Sequence, residues 1–119
     1  MFKRLIGWLF PKRARPEVKP APVQYSSVRT VAVPPTLGAV ERGIVFSISP
    51  GAAPTWAMLA CPCGCRAVIT LSLQHVHRPH WKLSVDQSGL PSLWPSVWRT
   101  QGCHSHFWLR HGRVHWAMH

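Results

Sequence analysis

The sequence predicts a mainly β fold, a single small domain with short antiparallel hairpins behind a flexible basic tail. Three observations carry that reading. Apolar residues come in short runs ended by Pro, Gly or Ser, and no stretch keeps a long helical period. One run leads straight into Cys61-Pro62-Cys63-Gly64-Cys65, and the only other cysteine is Cys103, far downstream. Near the end, His111-Gly112 separates two apolar-alternating segments, a strong hairpin signal.

The elements follow in chain order. Leu5 to Phe10 is an apolar run of six residues beside Lys3 and Arg4. It is far too short to span a bilayer, which takes roughly 20 residues, so no transmembrane segment is expected. Pro11, Pro16, Pro20 and Pro22 interleave with Lys12, Arg13, Arg15 and Lys19. Proline at that density blocks helix and ladder alike, so residues 1–23 read as a basic Pro-rich tail and residues 24–119 as the folded domain. Strands are expected over Tyr25–Val33, Gly43–Ile48, Trp56–Ala60, Arg66–Gln74 and Trp81–Val85. Strand, cysteine turn and strand make Trp56 to Gln74 a hairpin. Phe107–Arg110 and Arg113–Trp116 make the last one, pairing Arg110 with Arg113, Leu109 with Val114, Trp108 with His115 and Phe107 with Trp116. Phe107, Leu109, Val114 and Trp116 then face the core, and the two arginines face solvent or an anion.

Composition removes some functions. Lys and Arg number 14 against 3 acids, for a formal charge of +11. The first 20 residues supply +5 of it, so both parts of the chain are basic. An anionic partner, nucleic acid or a membrane surface, is expected at residues 1–23. The only carboxylates are Glu17, Glu41 and Asp86, which excludes a paired-carboxylate hydrolase or an oxygen-rich Mg or Ca site.

Four thiols without a secretory signal favour metal over disulfides and a cytoplasmic setting. Cys61, Cys63, Cys65 and Cys103 can close one tetrahedral structural Zn²⁺ site. Sulfurs at i, i+2 and i+4 converge only if the chain turns; otherwise one cysteine drops out and His104 or His106 replaces it. His75, His77 and His80 form a second cluster without a carboxylate and with Arg78 beside it, and they read as surface histidines. Ser92, Ser96 and Ser105 with His104 and His106 supply the types needed for an activated hydroxyl, with Asp86 the one carboxylate in range to orient a histidine. Trp94, Trp98-Arg99 and Trp108 to Arg110 set aromatic rings among cations, either to stack on bases or to fill the core.

The set Cys61-Pro-Cys-Gly-Cys65, Trp81, Pro95-Ser96, Gly102-Cys-His-Ser-His-Phe-Trp108 and Gly112-Arg-Val-His-Trp116 resembles a small bacterial and phage domain family long catalogued as unknown in function. The resemblance covers about residues 44–116. Some members lie beside bacterial ubiquitin-like conjugation genes, where they are suspected to be zinc-stabilised peptidases that process or remove the ubiquitin-like protein. It implies Cys61, Cys63, Cys65 and Cys103 as the metal set, Ser96 as nucleophile and His106 as its base. It implies the tail of a ubiquitin-like protein as partner. The alternative is a non-catalytic zinc-binding module that binds nucleic acid or a protein through its basic, Trp-rich face.

Overall fold

Eight strands form among residues 21–117, the part of the chain that the computed structural model describes. They are β1 (Ser27–Val31), β2 (Ile44–Ile48), β3 (Trp56–Ala60), β4 (Val68–Ser72), β5 (Lys82–Val85), β6 (Pro91–Trp98), β7 (His106–Arg110) and β8 (Arg113–Trp116). A single 3₁₀ turn, Leu37–Ala39, interrupts the β1–β2 connection. The expected mainly β class holds. Most of the basic tail, residues 1–20 with the Leu5–Phe10 run, lies outside the described residues.

Two four-stranded sheets result, ordered β1-β2-β3-β4 and β5-β6-β7-β8. Their facing sides make one core. Val45, Ala57, Leu59, Ile69 and Leu71 from the first sheet meet Leu93, Val97, Phe107, Leu109 and Val114 from the second. Alternation explains the assignment, because successive side chains leave opposite faces of a strand. Each fully buried Leu, Val or Phe here contributes roughly 1.5–3 kcal/mol by leaving water. The far side of the first sheet is covered too: Phe46, Ile48 and Met58 are buried against Val31, Val40 and Trp56. Val40 belongs to the long β1–β2 connection, which exists because β1 pairs with β2 in parallel, and parallel neighbours need a crossover.

The last hairpin has the expected register, Arg110 opposite Arg113 and Phe107 opposite Trp116. Its turn has positive φ at both His111 (49°) and Gly112 (75°), the primed geometry that suits strand twist. Two expectations about its faces change. Trp116 is 50% exposed, because β8 is an edge strand and its end offers the ring only an edge-on contact with Phe107, at 5.8 Å. The facing arginines are separated in role: Arg113 donates to the carbonyl of Ala21, while Arg110 lies over the Trp108 ring at 4.9 Å.

Strand β6 is absent from the sequence-based expectation, since Pro91 and Pro95 argue against a strand. Both are accommodated. Pro91 is the first residue of β6, and Pro95 falls in a bulge where the register with β7 shifts between Leu93 and Val97. Three residues, Trp94-Pro95-Ser96, therefore span what Trp108 alone spans on β7.

Candidate functional site: a sulfur cluster beside a serine–histidine pair

The cysteine turn connects β3 and β4 of the first sheet, and Cys103 lies in the β6–β7 loop of the second. Gly64 takes φ +89° and Arg66 +68°, and the Gly64 N–H donates to the Cys61 carbonyl at 3.2 Å. That curl is what a straight strand could not provide, and it brings all four sulfurs within 4.8 Å of one another. Cys61 Sγ is 3.4 Å from Cys63 Sγ and 3.6 Å from Cys103 Sγ. Ligands at 2.3 Å in a tetrahedron stand about 3.8 Å apart. Four thiols at such spacings fit a metal ion, with neither His104 nor His106 in the set. The sulfurs join the two sheets at one end of the sandwich.

The surroundings favour thiolate at Cys103 and Cys63 and the neutral thiol at Cys61. The Ser105 hydroxyl, 3.1 Å from Cys103 Sγ, is the main influence holding that thiol down to about 5. Burial pushes Cys61 up to about 11. Cys63 is also lowered: burial opposes the shift, and hydrogen bonds from Cys65 and Ser105 outweigh it. Arg99 Nη1 sits 3.4 Å from Cys103 Sγ and 3.6 Å from Cys65 Sγ, a cation against the negative charge that four thiolates would leave around a divalent ion.

Three residues after Cys103, and pointing to the opposite side of the chain from Ser105, His106 opens β7. Its Nε2 is 2.9 Å from Ser96 Oγ. The two side chains come from neighbouring strands, and the β6 bulge aims Ser96 at the histidine. Trp81 Nε1 donates to the Ser96 carbonyl at 3.2 Å, which fixes the bulge from the β5 side. The Trp98 ring stacks on the His106 ring at 4.8 Å and 6° from parallel, and His106 Nδ1 is shielded from solvent. A hydroxyl at hydrogen-bond distance from an imidazole nitrogen can lose its proton to that nitrogen as it attacks a carbonyl.

The other sequence candidates separate from this pair. Ser105 is buried and turned to the sulfurs, 3.6 Å from Cys61 Sγ. Ser92 Oγ accepts from the His111 backbone N–H at 2.8 Å. Asp86 does not orient His106; its Oδ2 is 2.7 Å from His111 Nδ1, because both stand at the turns of adjacent hairpins. His77 Nδ1 meets Ser72 Oγ at 2.5 Å, and His75 lies near His80 with ring centres 5.0 Å apart. The sequence reading missed Trp98 as a partner of His106. Trp98-Arg99 was visible in the sequence, but only the β6–β7 register places Trp98 directly opposite His106.

Comparison with curated proteins and with solved structures finds no match. The family model described as BubE, bacterial ubiquitination-like system serine protease, matches residues 32–117. That stretch takes in both sheets except the start of the first, all four cysteines, Ser96 and His106. The chain therefore belongs to the BubE family of bacterial ubiquitination-like system serine proteases.

Proposed function

We propose that this chain is a serine peptidase with a structural zinc, cutting at the tail of a ubiquitin-like protein to process it or remove it from a conjugate. The observation that carries the reading is the 2.9 Å approach of Ser96 Oγ to His106 Nε2 in a chain of this family. In this reading Ser96 Oγ attacks the carbonyl carbon of the scissile amide and His106 Nε2 takes its proton. The proton then passes to the leaving amine as the C–N bond breaks, leaving an acyl ester on Ser96. Water, deprotonated by the same nitrogen, hydrolyses that ester. The stacked Trp98 fixes the plane of the imidazole by packing on its face. Cys61, Cys63, Cys65 and Cys103 would hold zinc; four thiolates complete its tetrahedron, so its contribution is to fix the loop before His106. Residues 24–119 would form the working domain in the cytoplasm, where thiols stay reduced.

The test uses the full chain with its metal and a ubiquitin-like protein fused at its C-terminus to a reporter. Ser96→Ala and His106→Gln should each lower cleavage by at least about 10³-fold. Metal content should stay the same in both, and a fluorophosphonate should label wild type and not Ser96→Ala. Cleavage by Ser96→Ala at the wild-type rate would remove this reading.

A second reading has one observation in its favour. Trp94 and Trp98 are 67% and 57% exposed on the sheet face that also carries Lys82 and Arg110, as a non-catalytic zinc module binding nucleic acid or a protein would need. With the basic residues 1–23 it would also suit an anionic surface. It requires Trp94→Ala to lose binding while Ser96→Ala changes nothing.

A further inference from the structure

The face of the second sheet that carries Ser96 and His106 also carries a basic, tryptophan-walled groove. It has a volume of about 410 Å³ and is lined on β5, β6 and β7 by Lys82, Ser84, Ser92, Trp94, Trp108 and Arg110, together with Leu93 and Leu109. None of these residues is acidic. The nearest carboxylate in the sequence, Asp86, is engaged by His111. From this groove and its charge we infer that it is the subsite for a substrate peptide segment bearing a carboxylate side chain, a few residues from the bond Ser96 attacks. The inference rests on the peptidase reading above.

Position is the first support. Trp94 is two residues before Ser96 on β6, and Trp108 is two residues after His106 on β7. On the regular strand β7, rise makes that a displacement of roughly 7 Å along the sheet, about two residues of an extended peptide, and on β6 the bulge shortens it. A chain laid across this face with its scissile carbonyl at Ser96 reaches the groove without bending.

Chemistry is the second. Arg110 is exposed, and its guanidinium carbon lies over the Trp108 ring, 4.9 Å from the ring centre. The guanidinium fork offers a carboxylate a bidentate match that a lysine lacks. Lys82 is exposed and sits opposite Trp94 in the β5–β6 register, adding a second charge across the groove. Ser84 and Ser92 face each other two residues further along the same two strands and add hydroxyl groups. The exposed Trp94 ring covers the aliphatic stem of such a residue.

The experiment binds short extended peptides that differ at one scanned position, Glu, Gln or Lys, to the full-length, metal-loaded Ser96→Ala protein, read by tryptophan fluorescence. At one position the Glu peptide should bind about tenfold tighter than its Gln analogue, with an advantage that shrinks as salt rises. The double variant Lys82→Glu/Arg110→Glu should reverse the preference toward Lys. The same charge change at the exposed Arg42 and Arg78, outside the groove, should leave it intact and so separates a local site from the net charge of +11. Equal affinities for the three peptides, no binding at all, or a preference unchanged in the double variant would overturn the inference. Wild-type cleavage of the same peptides keeps the two readings apart. Cleavage without charge preference sinks the groove alone. Charge preference with neither cleavage nor fluorophosphonate labelling sinks the peptidase and keeps the groove as an acidic-peptide site.

Discussion

Trp98 lies flat against His106, ring centres 4.8 Å apart and planes 6° from parallel, while the same imidazole turns Nε2 to Ser96 Oγ at 2.9 Å. One strand thus supplies both the nucleophile candidate and the ring that holds its base. The pairing is cross-strand, Trp98 opposite His106, so it depends on the register that the β6 bulge sets.

Removing that ring should disturb orientation more than substrate binding. Trp98→Ala is expected to lower kcat by roughly tenfold to a hundredfold, the range that misplacement of a catalytic group produces, with a smaller change in KM. Trp98→Phe should restore part of the loss, because a flat ring remains. Steady-state kinetics on the reporter fusion measure both. An unchanged kcat in Trp98→Ala would mean the stack does not hold the histidine.

Metal and fold should be lost together. The four sulfurs come from loops of both sheets, and a structural zinc of this kind contributes an apparent 10–16 kcal/mol at neutral pH. Domain stability is only about 5–15 kcal/mol, so stripping the ion should unfold the protein. Purified chain should carry one zinc, and Cys103→Ser or a strong chelator should abolish both the metal and the β-type circular dichroism signal. A well-folded, metal-free sample would contradict this.

Gly112 should be intolerant of a side chain. Its φ is +75°, and an added Cβ would run into the Tyr25 carbonyl and crowd Val23. The same residue accepts from the Gln24 and Tyr25 N–H groups and donates to the Pro91 carbonyl, tying the start of the first sheet to the second. Gly112→Ala is expected to cost about 1–3 kcal/mol. Gly51→Ala, in open space, should cost far less. Urea unfolding of the two variants gives the comparison.

Asp86 predicts an acid limb in the stability profile. The Leu90 N–H first, and then His111, hold its carboxyl below the ordinary value. A depressed folded-state value means that the group stabilises the fold above its unfolded pKa, near 3.9. That contribution is lost as pH falls through the folded value. Asp86→Asn keeps an oxygen for the Ser88 and Leu90 N–H groups but loses the charge facing His111. It should be less stable than wild type at neutral pH, and the difference should close toward pH 3. Thermal melts across that range test it; a gap that widens on acidification would reverse the sign.

Much of this molecule is local chemistry and was readable as such. The Cys61–Cys65 turn needs only Pro62, Gly64 and the flanking apolar runs. The last hairpin needs only His111-Gly112 between alternating residues, and its register follows from the length of the turn. Pairings of that kind depend on neighbours in the chain.

What distance along the chain separates, only packing could bring together. Cys103 meets Cys61 because two sheets close on a common core, and no spacing rule measures that approach. Strand β6 contradicts the usual meaning of proline and forms because Pro91 heads the strand and Pro95 sits in a bulge. Trp116 has the pattern of a core residue, yet an edge position leaves it half in water. The 2.9 Å contact of Ser96 with His106 needs both that bulge and the cross-strand register. A side-chain period of two decides which face a residue takes within a strand, but which strands are neighbours, and with what slip, is set by burial of the whole apolar surface at once.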